Sequence, residues 1–294
     1  MTRDLEPAVR DAWHVLCRSA DLAPGAATRL RLLSRDVEVA RNAAGTVSAR
    51  LLDGEAVATR EAYGHVFACL GTPAAPLFDI AEFAEDDRRL ATCGAVRVRA
   101  SGLRLVENFL DMAHFPFVHT DLLGVEERPE VPRYDIEIRR DVDEVWATNC
   151  RFWQPRAAAS SAEGQMSEYL YRVAGPFAVM LYKTCPADPS RFDVIGLLIR
   201  PAEPDLSYAY AFVLVLDEAS SETAIVHFQQ TIFLQDRIVL ENQRPRLLPL
   251  APNAETPTRA DMSSVAYRRW LKEKGVRYGT VEGLAGHGEA EGVP

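Results

Sequence analysis

The period of the hydrophobic pattern changes near Ser220, after a long succession of strand-like runs, and that change constrains the fold more than any other feature of the chain. Before it, RYDIEIRRDVDEVWATNCRFW, MSEYLYRV, FAVMLYKTC, RFDVIGLLIRP and LSYAYAFVLVLD read as strands separated by Pro, Asp and Gly. Side chains alternate across a strand, so this succession predicts an antiparallel meander with a face to bury. After it, Ile225, Phe228, Gln229, Ile232, Phe233, Val239, Leu240 and Gln243 recur at helical spacing, which predicts one long helix. An apolar helical stripe and an apolar sheet face cover each other. The expected fold class is α+β, a curved antiparallel sheet crossed by a long C-terminal helix.

Upstream, residues 26–70 are also β-rich, with turn signals at Asn42 to Gly45 and at Asp53–Gly54. Residues 72–90 are rich in Pro and acidic residues and predict a boundary, giving a small N-terminal β module (1–90) and a larger domain (91–294). SGLRLVENFLDMAHF reads as a helix interrupted by Pro116, ADMSSVAYRRWLKEK as a shorter amphipathic helix, and GHGEAEGVP as a frayed tail. The net charge of −9 and the lack of a dense basic run argue against nucleic acid and against an anionic membrane surface. The charged opening MTRDLEPAVRDAW and the absence of any apolar run near ~18 residues predict a cytoplasmic protein. Five cysteines, scattered singly, read as free thiols.

The chemistry concentrates in Asn108-Phe-Leu-Asp111-Met-Ala-His114-Phe-Pro-Phe-Val-His119. Residues five apart on an unbroken helix point about 140° away from each other. His114 and His119 share a ligand only if the backbone changes course, and Pro116 supplies a break. Asp236 falls on the buried stripe of the long helix, where a carboxylate needs a cation or a metal. Two imidazoles and one carboxylate with open remaining positions form the facial triad of non-haem Fe(II) oxygenases. Each residue alone has a plainer reading: a satisfied core histidine, or an aspartate paired with Arg237 or Arg244.

Together these residues match a family. NFLDMAHFPFVH resembles the N-x-x-D-x-x-H-x-x-x-x-H signature of the catalytic α subunits of Rieske-type non-haem iron oxygenases. LQDRIVLENQRP resembles their segment carrying the third ligand, and YGHVFACLGTP and DMSSVAYRRWL also look like segments of the phthalate dioxygenase and vanillate demethylase branch. The resemblance runs from about Trp13 to Tyr278. It implies a helix-grip catalytic domain, mononuclear Fe(II) held by His114, His119 and Asp236, and O2 as co-substrate. It implies that Asp111 bridges to an electron-donating Rieske cluster and that Asn108 sits beside the iron.

The chain departs from the family in its N-terminal module. The C-x-H and C-x-x-H pairs that hold a 2Fe–2S cluster are missing, and His65 and Cys69 are too isolated to replace them. The resemblance is therefore to a truncated Rieske-like module without cluster, as in methylxanthine N7-demethylase catalytic subunits. It implies electrons from an external Rieske reductase, a glutathione-S-transferase-like supporting protein, and a trimer-based oligomer. The implied reaction is oxidative N-demethylation of a methylxanthine or similar heteroaromatic. Phe177, Met180, Phe212, Phe228 and Gln229, with Asn149 and Gln165, are the candidate substrate contacts. Two alternatives stand beside it. One is O-demethylation or ring hydroxylation of an aromatic acid held by Arg151 or Arg172. The other is a non-catalytic ligand-binding or scaffold protein.

Overall fold

The computed structural model describes residues 5–156, 158–159 and 163–285; the expected tail at GHGEAEGVP lies outside them. A short helix α1 (Pro7–Arg10) leads into six strands: β1 (His14–Arg18), β2 (Ala27–Leu32), β3 (Arg35–Arg41), β4 (Val47–Leu51), β5 (Ala56–Ala62) and β6 (His65–Cys69). They form one antiparallel sheet in the order β1-β6-β5-β4-β3-β2. Tight turns build it, and Tyr63 and Gly64, both at positive φ, form the two-residue connection between β5 and β6.

The second sheet has seven strands: β7 (Arg89–Val98), β8 (Asp135–Arg139), β9 (Glu144–Gln154), β10 (Gln165–Gly175), β11 (Ala178–Thr184), β12 (Phe192–Glu203) and β13 (Leu206–Val215). Strands β8 to β13 are the expected meander, and β7 adds to its far edge against β13. Strand β7 is not anticipated by the sequence pattern. Its alternating face is diluted by Arg89, Thr92, Gly94 and Arg97, and its partner lies over a hundred residues away.

Period-2 alternation gives this sheet two different faces. Val194, Leu198, Met180, Tyr210 and Phe212 pack toward the first sheet, with Val15 and Phe67, in one apolar layer. Tyr210 seals the seam by donating its hydroxyl to the Leu16 carbonyl at 2.9 Å. Gly196 is required there, because a Cβ at that position would fall 2.0 Å from the Phe212 ring. The opposite face carries α2 (Gly102–Leu110), α4 (Glu222–Asn242) and α5 (Met262–Glu273), with α3 (Phe115–Val118) between α2 and β8. Ser101 caps α2 by accepting from the Leu103 N–H, and Ser221 caps α4 by accepting from the Ala224 N–H. Gly102 lets α2 rest directly on the sheet, since a Cβ would meet Phe177 at 2.8 Å and Ile199 at 2.9 Å. No helix among the described residues is long and apolar enough to cross a membrane.

Two histidines are sealed into this scaffold. His14 has one ring nitrogen 2.7 Å from the Val9 carbonyl, and His65 has one 2.8 Å from the Tyr63 carbonyl. Burial pushes each down to about 4 against the partial support of that carbonyl. The unfolded chain protonates both rings below about 6.5, whereas the folded chain resists until about 4. Their contribution to stability is complete above that range and is lost as pH falls through it. Urea titrations at pH 7 and pH 5 should show acid destabilisation of about 2 kcal/mol per ring at pH 5. A His65→Gln variant should flatten the slope.

Candidate metal centre

The backbone turns where the chemistry requires it, but earlier than the proline. Helix α2 stops at Leu110, and Asp111 adopts extended dihedrals as its C-cap. Asp111 then accepts from the Ala113 N–H at 2.7 Å, a local turn that redirects the chain before His114. Pro116 sits in the first turn of α3, where its missing N–H costs nothing. It starts a helix and does not interrupt one. After His119 the chain doubles back, and Gly124 passes so close to α3 that a Cβ would lie 2.7 Å from the Pro116 backbone nitrogen.

This path brings His114, His119 and Asp236 together from α2–α3 and α4. The two Nε2 atoms are 3.1 Å apart, and Asp236 Oδ1 is 3.3 Å from His114 Nε2 and 3.0 Å from His119 Nε2. Each ring is committed on its other side. His114 Nδ1 donates to Asp111 Oδ2 at 3.0 Å, and His119 Nδ1 donates to Gln235 Oε1 at 2.8 Å. With those protons directed outward, both neutral Nε2 atoms and the carboxylate turn lone pairs toward one point. Three acceptors facing each other without a donor are unstable unless a cation sits among them. Without one, His114 must take up a proton. Burial opposes a charged ring there, yet Asp111 and Asp236 outweigh it and push His114 up to about 9. Burial likewise raises Asp236, and the two imidazoles more than offset it, holding the carboxyl below its usual range.

The spacing fits a metal. Ligand atoms about 2.1 Å from an ion lie about 3.0 Å apart at right angles and about 3.4 Å apart at a tetrahedral angle. Two of the three separations, 3.0 and 3.1 Å, match the first, the arrangement of one octahedral face with the other positions open. Asn108 lies beside the triad, with Nδ2 3.4 Å from Asp236 Oδ1. The ion-pair reading of Asp236 fails, because Arg237 turns to Glu241 and Arg244 to backbone carbonyls. Val239 departs from the expected buried stripe and is 46% exposed. The buried line of α4 runs instead through Ile225, Phe233, Asp236 and Leu240.

The candidate substrate contacts separate. Gln229 and Phe228 lie between α4 and the sheet, lining a cavity of about 40 Å³. Gln165 is partly buried at the start of β10. Phe177 is packed beneath α2. Met180 and Phe212 face the first sheet, on the side of the meander away from the triad, because alternation along β11 and β13 turns even-numbered residues there. Asn149 is exposed and donates to Asp135 at 2.6 Å. Neither arginine enters the cavity: Arg151 pairs with Glu168 at the surface, and Arg172 pairs with the buried Glu144 beside Tyr182, on the face of the meander that turns toward the first sheet. Sequence reasoning missed Gln235, although a ligating histidine with no acidic neighbour calls for an acceptor at its second nitrogen.

The chain is similar to known proteins in both sequence and fold. Residues 98–277 match the model of the vanillate O-demethylase oxygenase C-terminal domain. The chain is 45% identical to the probable methylxanthine N7-demethylase NdmC of Pseudomonas sp. (strain TJI-51), over 94% of this chain and 98% of that one. It is 28% identical to methylxanthine N1-demethylase NdmA of Pseudomonas putida over 59% of this chain and 47% of that one. In three dimensions it matches Pseudomonas putida CBB5 NdmA with a TM-score of 0.71 at 19% identity, covering 91% of each chain. Dicamba monooxygenase bound to dicamba matches with a TM-score of 0.71 at 14% identity, over 90% of this chain and 97% of that one.

Removing Gln235 frees the His119 ring to rotate, so Gln235→Ala should weaken metal binding roughly 10- to 100-fold. Gly124→Ala should do the same by displacing α3. Metal content of dialysed protein by plasma emission tests both, with His114→Ala as the variant that binds none.

Proposed function

Because the chain belongs to the Rieske-type oxygenases of the vanillate O-demethylase branch, an oxidoreductase family, we propose that it is the catalytic subunit of a multicomponent N-demethylase. The proposed substrate is a methylxanthine or similar heteroaromatic methylated at a ring nitrogen. The observation that carries this reading is the convergence of His114, His119 and Asp236, in a chain nearly half identical to a probable N7-demethylase along almost its whole length.

His114, His119 and Asp236 would hold a mononuclear ferrous ion, which when bound supplies O2 activation at its open positions. The overall change balances as one N–CH3 group, O2, two electrons and two protons giving N–CH2OH and water. The hemiaminal then breaks its C–N bond, releasing formaldehyde and leaving N–H on the ring. The chain's own residues set the conditions. Asp111 and Gln235 fix the tautomer and tilt of the two imidazoles, and Asn108 steadies Asp236. Phe115 and Phe152, packed edge to face at 5.5 Å, wall the triad against solvent from the sheet side.

Electrons enter from outside in this reading. Asp111 opens on a groove of about 810 Å³ between α2, α4 and α5, lined also by Asn108, His114, Val239, Val265 and Arg269. An external cluster protein docked in the groove would reach the ion through Asp111 and the His114 ring. A reductase bearing a Rieske domain, with or without a glutathione-S-transferase-like subunit, is the proposed partner in a cytoplasmic assembly. The aromatic-acid alternative lacks its anchor, since Arg151 and Arg172 point away from the cavity. A non-catalytic binder is at odds with the family and with the intact triad.

Asp111→Asn separates the electron route from the chemistry. It should keep about one iron per chain, yet lose roughly 100-fold or more of formaldehyde release when electrons come from a Rieske reductase. Hydrogen peroxide brings both the oxygen and the two electrons, so peroxide-driven demethylation should fall far less. Equal losses in the two assays would remove Asp111 from the electron path.

A further inference from the structure

Strands β10 to β13 form the middle of the seven-stranded sheet, and their odd-numbered residues turn to the face that the helices cover. A residue at the centre of such a layer is ordinarily sealed, as Val179, Leu197 and Val213 are. Leu181, Ile195 and Ala211 stand among them and keep part of their surface open. So do Ile232 of α4 and Phe109 of α2, on the helices of the same layer. This open surface marks an apolar hollow between sheet and helices. It lies beside the triad, because Ile232 precedes Asp236 by about one helical turn and Phe109 follows Asn108, which donates to Asp236.

One polar group borders the hollow without a partner. Tyr171 of β10 is the direct cross-strand partner of Leu181, which pairs in turn with Ile195. Its ring meets Phe109 edge to face at 6.2 Å and is 1% exposed. Among the described residues its hydroxyl has no hydrogen-bond partner. Phenylalanine would fill the same volume without leaving a polar atom stranded, so packing does not explain the oxygen. A buried hydroxyl left over in a native fold points to a water or a ligand. Burial, with the charge of Asp111 among the lesser contributions, keeps the proton on this hydroxyl and makes it a donor. That reach of Asp111, which itself holds His114, ties the hydroxyl to the metal centre.

We propose that Tyr171 orients the substrate, its hydroxyl donating to a ring carbonyl or bare ring nitrogen of a neutral heteroaromatic lodged between Leu181, Ile195, Ala211 and Ile232. This rests on the demethylase reading, which sets the methyl group at the triad. Apolar side chains on the sheet and on α4 suit the two faces of a flat ring, and one placed donor suits a single acceptor on its edge. A carboxylated ring would call for a cation in the row of Tyr171, Leu181 and Ile195, and the row holds none. Methylation of a ring nitrogen removes an N–H and leaves the adjoining carbonyl an acceptor. The hydroxyl therefore fixes how the ring lies, and it serves a ring with one methyl group or with several.

The test is anaerobic calorimetry on the iron-loaded enzyme with 7-methylxanthine and caffeine, for wild type, Tyr171→Phe and Leu181→Phe, beside thermal melts of the ligand-free proteins. Tyr171→Phe should bind both rings roughly 3- to 10-fold more weakly, the scale of one neutral hydrogen bond. Its iron content should be unchanged and its melting temperature equal to wild type or higher. Leu181→Phe fills the hollow, so it should lose both rings yet keep its iron and its melting temperature. A packed layer would not admit the larger side chain without a marked drop in melting temperature, and such a drop would overturn the hollow. Unchanged affinities in Tyr171→Phe with a lowered melting temperature would overturn the assignment, since the hydroxyl would then serve the fold through a buried water. Formaldehyde release by that variant would leave the demethylase reading standing. Wild type that binds neither ring and releases no formaldehyde would sink both.

Discussion

Three lone pairs directed at one point are the constraint around which this molecule is arranged. Two imidazole nitrogens and a carboxylate oxygen within 3.0–3.3 Å of one another repel unless something positive lies between them. A proton relieves one pair, and His114 accepts it readily, but a metal ion relieves all three. The outward hydrogen bonds to Asp111 and Gln235 make the difference. They hold a proton on each Nδ1, so that the inward nitrogens are left as ligands. Without Asp111 and Gln235, the rings could turn or exchange tautomers, and the site would dissolve into ordinary side-chain hydrogen bonding.

Holding those three groups still is the task of the surrounding fold. His114 and His119 lie on a redirected segment, which has little rigidity of its own. It gains rigidity from Gly124 packed on the α3 backbone, from Phe115 against Phe152 on β9, and from α2 seated on the sheet through Gly102. Asp236 comes from the middle of a 21-residue helix, where helical geometry fixes the carboxylate more firmly than a loop would. The first sheet braces the meander from behind through Tyr210, Phe212 and their neighbours. A module that carries no ligand of the triad thus still has a mechanical role.

Much of this was legible in the residues, for reasons that differ from part to part. The meander and α4 follow from periodicity, because burial of one face imposes a period and a change of element changes it. The triad followed from residue types at a spacing that matched a known signature. What failed was the sense of direction. Met180 and Phe212 look like cavity aromatics and apolars until pairing register decides which face they take, and a one-residue shift of register reverses every assignment. Strand β7 escaped for the complementary reason, since its partner β13 lies far away in sequence and its own pattern is mixed. Pro116 drew attention as a helix breaker, yet the break belongs to Asp111, whose side chain caps the turn.

The two sides of the triad meet different surroundings, and the fold keeps them apart. Asp111 and one edge of His114 meet the open groove between α2, α4 and α5, which is broad and in contact with water. His119 is 1% exposed and lies beside Phe115, which packs in turn on Phe152 of the sheet. Helix α4 borders both the groove and the small cavity: Asp236 faces the two histidines, Val239 faces the groove and Gln229 faces the cavity. Gln229 and Asp236, seven residues apart, share one side of the helix and Val239 takes another, so polar and exposed positions interrupt the apolar stripe and leave it narrow.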